Sequence, residues 1–202
     1  MLIPKVTSVT KQGSVATDLL SNDFEVNRRI YLNGEINESQ ALSITAQIDH
    51  LDRINHKEIY LYINSPGGCI TSGLAIKDAM DRSQSDIVTV CTGMAASMGA
   101  FLVACGAKGK RYITPHADMM IHQPIGGARG QASDVILTAK RIEKMKHMIN
   151  AILAGKTGKK YKTIRKDTDR DFYMNAKEAI KYGLVDKILD AKANKKRGKN
   201  ND

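Results

Sequence analysis

No run of apolar residues in this sequence is long enough to cross a membrane. Residues 94–107, the most apolar part of the longest uncharged stretch, fall short of the roughly 20 residues that a bilayer requires and are broken by glycines and a serine. Their lack of charge reads as burial. The opening MLIPKVTSVTKQG has no apolar core of the secretory-signal kind, and a cytoplasmic location is expected. Cysteine is scarce: Cys69, Cys91 and Cys105 are odd in number and lie among apolar or glycine neighbours. That argues against a disulfide framework and for a reducing compartment. There is no H-E-x-x-H and no paired C-x-x-C, so no metal is expected. The glycines and lysines of residues 106–110 lack P-loop spacing, so the chain carries no ATPase of its own.

What is present fits one globular domain. The chain has 202 residues, of which 42% are hydrophobic, enough to bury a core without staples. The net charge of +10 is unevenly placed: residues 1–137 hold 12 Lys/Arg against 13 Asp/Glu, and residues 138–202 hold 19 against 8. A basic excess confined to the last third, without interleaved aromatics in the tail, reads as a solvated helix face plus a loose end. No nucleic-acid partner and no membrane partner are expected.

Periodicity alternates between strand and helix. Residues 1–17 have no clear period and read as an arm or axial loop. Short strands are expected at 29–32, 58–64, 86–91, 111–114 and 119–121, with a closing strand at 184–188. Helices are expected at 38–51, at 71–80 with Thr71 or Ser72 as cap, at 97–105, at 131–153 and from 161. A last helix runs from the Asn175 cap to Gly183. This order implies right-handed crossovers and a mostly parallel sheet, whose sites form at strand carboxyl ends. The domain is placed at 18–190, and residues 191–202 are expected to be a disordered basic tail.

Two strand ends carry unusual chemistry. Ser97 lies where a strand turns into a helix, beside amide donors left unpaired at a helix start. The plainer reading is a helix cap or a small residue chosen for packing, and this segment alone favours it. Gly67 and Gly68 follow another strand, as an ordinary turn or as a close approach for a substrate backbone. Of five histidines, His122 alone ends a strand beside a glycine-rich segment. Three acids, Asp167, Asp169 and Asp171, stand at alternate positions, and spacing cannot choose among them.

Taken together, YLYINSPGG at 60–68, GMAASMGAFL at 93–102, MIHQP at 120–124 with Gly126 and Gly127, and DRD at 169–171 with residues 176–186 resemble the proteolytic subunits of the Clp protease (ClpP) family. The resemblance covers residues 18–188. It implies a serine endopeptidase that degrades unfolded proteins and short peptides in an enclosed chamber. Ser97 would be the nucleophile, His122 the base and Asp171 the acid, with the amides of Gly68 and Met98 as oxyanion hole. The implied fold is α/β, a ClpP/crotonase-like spiral of ββα units. A protruding handle at about 124–153 would consist of a glycine-rich strand and then the long helix. Substrate would lie as an added strand along Gly67, Pro124, Ile125, Gly126 and Gly127. Two stacked heptameric rings would meet through Gln131, Asp169 and Arg170. No cofactor is implied, because ATP is used only by a partner AAA+ unfoldase of the Clp type.

That unfoldase would dock on Tyr60, Tyr62, Arg82, Val90, Thr92, Tyr112 and Leu189. The family usually has an aromatic residue where Arg82 stands and an apolar one where Thr92 stands. The N-terminal arm likewise has Lys5 and Thr7 in place of apolar residues. Weak docking to the usual unfoldase, and pairing with a second, more typical ring, are therefore expected. Other readings are a catalytically quiet subunit of a mixed assembly and a crotonase-type acyl-CoA enzyme. The complete Ser/His/Asp set stands against both.

Overall fold

The computed structural model describes residues 3–10 and 13–189. The expected tail at 191–202 lies outside the described residues. The centre is a seven-stranded sheet built from β3 (Arg29–Asn33), β4 (Ile59–Ser65), β5 (Ile87–Ala96), β6 (Arg111–Ile113), β7 (Asp118–Ile121), β8 (Phe172–Asn175) and β9 (Lys187–Ile188). The main path runs β3-β4-β5-β6-β9, all parallel. β4 shows why it is a strand: Ile59, Leu61, Ile63 and Ser65 alternate inward, while Tyr60, Tyr62 and Asn64 face the other way.

Helices α2 (Glu38–Ile54), α3 (Ile70–Arg82) and α4 (Met98–Cys105) cover the inward face. In α2, Ala41, Ile44, Ile48 and Leu51 form the buried stripe. All eight residues of α4 are buried, as the uncharged stretch implied. The long α5 (Ala132–Thr157) leads to α6 (Tyr161–Asp167) and, after β8, to α7 (Ala176–Tyr182). Asn175 starts α7 with a capping box to Glu178, and Gly183 ends it in the left-handed region. Arg111, only 7% exposed, joins these ends. It pairs with Asp186 at 2.6 Å and donates to the carbonyls of Ala104, Lys156 and Gly183.

Several elements differ from expectation. The described part of residues 1–17 is a hairpin, β1 (Lys5–Thr10) antiparallel to β2 (Gly13–Asp18), followed by α1 (Leu19–Asn27). Neither Thr71 nor Ser72 caps α3. The cap position is Cys69, without a side-chain cap bond. β8 was not anticipated, and β9 has two residues where five were expected. The glycine-rich part of the handle, residues 124–131, forms no strand, because a strand needs a neighbour and one chain offers none there.

Candidate active site

β5 is longer than expected, and its two halves serve different neighbours. Its first half pairs with β4 and β6, and its last three residues pair with β7. The register sets Ala96 opposite Met120, so Ser97 and His122 leave the same sheet edge side by side. On the far side of β7, antiparallel β8 sets Phe172 opposite Ile121. One step beyond that pair, Asp171 falls opposite His122. Strand register alone therefore brings three distant parts of the chain together.

The side chains complete the contact. His122 Nε2 lies 2.8 Å from Ser97 Oγ, and His122 Nδ1 lies 3.1 Å from Asp171 Oδ1. The imidazole is 13% exposed and the carboxylate 56%. Ser97 has φ +54° and ψ −121°, a conformation that costs a non-glycine residue on the order of 1–3 kcal/mol. Two attachments hold it there. The Ser97 amide donates to Met120 O at 2.8 Å, and the Ser97 carbonyl accepts from Phe101 in buried α4.

The glycine pair lies against this turn. A Cβ on Gly67 would sit 2.6 Å from Ser97 Cβ and 2.8 Å from Ala96 O, so only glycine lets the turn after β4 approach so closely. Gly68 faces Ile36 in an isolated parallel bridge. The bonds of that bridge run from Ile36 N to Gly67 O and from Cys69 N to Ile36 O. The Gly68 N–H is therefore left out of the pairing and directed away from Ile36. Met98 is the first residue of α4, so its N–H has no intrahelical acceptor. Among the described residues, both amides are thus left without a backbone partner.

An open cleft of about 330 Å³ is lined by Gly67, Gly68, Ser97, His122, Pro124 and Ile125, together with Glu35 and Ile70. A second, narrow crevice beside Ser97 is walled by Ile70, Met98, Phe101, Pro124, Ile149 and Leu153. Glu35, Ile70, Ile149 and Leu153 were not foreseen as site residues. Only their apolar periodicity hinted at the last two. Gly126 and Gly127 do not line either cavity. Gly126 instead lies under α5, where an added Cβ would reach Ile142 at 3.0 Å. At the entrance to α3, hydroxyls of Ser72 and Thr71 hold the Cys69 thiol down at about 7.

The other expected sites are only partly assembled. Gln131 caps α5 without a side-chain bond, and Gln131, Asp169 and Arg170 are exposed. On the helix-free face of the sheet, Tyr60, Tyr62, Val90, Tyr112 and Leu189 line one cleft of about 480 Å³. Arg82 and Thr92 do not belong to it. Arg82 ends α3 and pairs with Asp49 of α2 at 2.9 Å, while Thr92 donates to Ile63 O. Charge reaches this cleft from Arg29, Glu58 and Lys110 instead. Among the described residues no group of metal-ligating side chains is assembled, and no helix is long and apolar enough to cross a membrane.

Compared with models of known families, the chain matches that of the Clp protease over residues 11–192. The mixed α/β architecture, with its mostly parallel sheet and, among the described residues, seven helices, agrees with that family's fold.

Proposed function

The chain belongs to the Clp protease family and is a peptidase; from that premise we propose that it is a serine endopeptidase using Ser97, His122 and Asp171. The observation that carries the reading is the chain of contacts from Ser97 Oγ through the imidazole to Asp171, at 2.8 and 3.1 Å. With Nδ1 protonated, His122 donates to Asp171, and its Nε2 accepts the serine hydroxyl. Ser97 Oγ then attacks the peptide carbonyl as Nε2 takes its proton. Asp171 stabilises the imidazolium that forms, and the same proton passes to the leaving amine. Water, activated by the same nitrogen, releases the acyl group from Ser97. The N–H groups of Gly68 and Met98 would receive the oxyanion in both steps.

The open cleft suits an extended peptide running past Gly67 and along Pro124 and Ile125, read through its backbone. The crevice beside Ser97 has only apolar walls apart from the serine and histidine, which favours an apolar side chain just before the scissile bond. Assembly into stacked rings is part of this reading, as are docking of an ATP-driven unfoldase, a partner ring and a cytoplasmic setting. Docking is expected to be weak, because Arg29, Glu58 and Lys110 place charges in the tyrosine-lined cleft.

Hydrolysis of short fluorogenic peptides by the purified protein, with Ser97→Ala beside it, tests the proposal. Activity should fall by ~10³-fold or more in the variant, with folding unchanged. Peptide cleavage that survives Ser97→Ala would refute it.

A further inference from the structure

The three groups of the site are not equally secured. Ser97 is tied by its backbone to β7 and α4, and the His122 ring is mostly buried. Asp171 is more than half exposed, and among the described residues His122 is its hydrogen-bond partner. Its place therefore depends on the backbone of residues 169–172. On one side, β8 fixes Phe172 against Ile121. On the other side, the Asp169 carbonyl accepts from Gln123 Nε2 at 2.8 Å. Gln123 follows His122 directly in the chain. One side chain thus spans the segment that carries the base and the segment that carries the acid.

Gln123 is itself oriented. Its Oε1 accepts from Lys146 Nζ at 2.7 Å. An ammonium only donates, so Lys146 accommodates one orientation of the amide, the one that leaves Nε2 for Asp169. The opposite orientation would set two donors against each other at Lys146 and two acceptors at Asp169. Lys146 stands one turn before Asn150 on α5, and buried Asn150 accepts from Thr168 at 3.2 Å. Two rungs on the same face of α5 therefore reach the start of the acid's loop.

We propose that Gln123 is a positioning residue for Asp171, and that Lys146 sets the orientation in which it works. The inference rests on the serine-peptidase reading above. Loss of the amide frees the Asp169 carbonyl and loosens the acid without touching substrate. A displacement of about 1 Å in such a group can cost up to ~100-fold in rate.

The experiment measures kcat and KM on a fluorogenic peptide, and the rate of Ser97 labelling by a fluorophosphonate. The variants are Gln123→Ala, Gln123→Glu, Lys146→Met and Lys146→Arg, with Gln123→Ala also made in an Asp171→Ala background. Gln123→Ala and Gln123→Glu should each lower kcat about tenfold while KM stays within about twofold. Lys146→Met should lose part of that rate, and Lys146→Arg should restore it. In the Asp171→Ala background, Gln123→Ala should cost nothing further in labelling rate. A Gln123→Ala enzyme with unchanged kcat, or one that loses as much without Asp171 as with it, overturns the proposal. If Gln123→Ala fails to assemble, the lysine pair decides: equal losses in Lys146→Met and Lys146→Arg overturn it. Wild-type protein that is not labelled at Ser97 sinks the peptidase reading and this inference with it. A labelled wild type with unaffected variants sinks this inference alone.

Discussion

Helices α4 and α5 have the same backbone and opposite circumstances. Every residue of α4 is buried. In α5, 26 residues long, only Ile149, Asn150 and Leu153 are buried, all near its carboxyl end. α4 is therefore held by the core, while the first half of α5 is held by its own hydrogen bonds and by the anchor at its end. That free half is not polar. Val135, Ile136 and Leu137 are 37%, 55% and 63% exposed. Apolar surface gathered in one place marks a contact to be made. The comparison teaches that the chain buries its own sheet and the helix beside Ser97 but leaves apolar surface on its handle uncovered.

The sharpest way to break this contrast is to cut into α4. Phe101, 1% exposed, fills the core and walls the crevice beside Ser97. Phe101→Ala should cost about 3–5 kcal/mol, seen as a large drop in the urea midpoint. A midpoint near the wild-type value would mean that α4 is not the keystone of the core. A smaller effect should come from a polar contact at the other end of the molecule's helical layer, where the end of α2 meets the segment after α3. Burial works against the charge of Asp52, but hydrogen bonds from the Ser85 hydroxyl and from the Gln84 and Ser85 amides outweigh it. They hold its carboxyl well below the usual range. Because the folded state gives up this proton more readily than the unfolded chain, the contribution is fully present above about pH 4. It fades as pH falls towards the lowered folded-state value. Asp52→Asn should therefore unfold earlier than wild type at neutral pH, with the gap closing in acid. A gap that is constant with pH would assign the loss to shape and not to charge.

The smallest effects on the chain's own stability should come from the exposed side of the contrast. Leu137→Ser should move the urea midpoint by no more than about 0.5 kcal/mol, yet shift the protein to smaller species on size exclusion. An unchanged assembly would show that the free half of α5 is not a contact. Arg82→Ala removes an ion pair whose members are 61% and 47% exposed, and should likewise cost under about 1 kcal/mol.

The parts of the fold that were legible in the sequence are those where one physical demand dominates. β4 alternates because one face is buried, α4 is uncharged because all of it is buried, and Asn175 with Glu178 spells a capping box. The hairpin β1–β2 was missed because a sequence rich in Ser, Thr and Lys shows no apolar period. β8 was missed because four residues after a charged stretch carry almost no signal, and what makes them a strand is β7. The acid could not be chosen by spacing for the same reason. Asp167 accepts from Tyr182 at 2.8 Å and Asp171 meets His122, a difference that the register of β8 sets and that spacing does not show. The pairing of Arg82 with Asp49 was not legible either, because 33 positions of sequence separate two residues that the packing of α3 on α2 brings together.

The late position of β8 has a bearing on how the molecule comes into being. Ser97 and His122 are in place once β5 and β7 have paired, but Asp171 is set opposite the imidazole only when β8 joins β7. During synthesis from the amino end, and on the serine-peptidase reading proposed above, hydrolytic competence would thus be the last property that translation delivers. A ribosome-bound chain not yet extended past residue 175 holds a serine and a histidine but no aligned acid. On that reading it would spare the other unfinished proteins around it until the fold is almost complete.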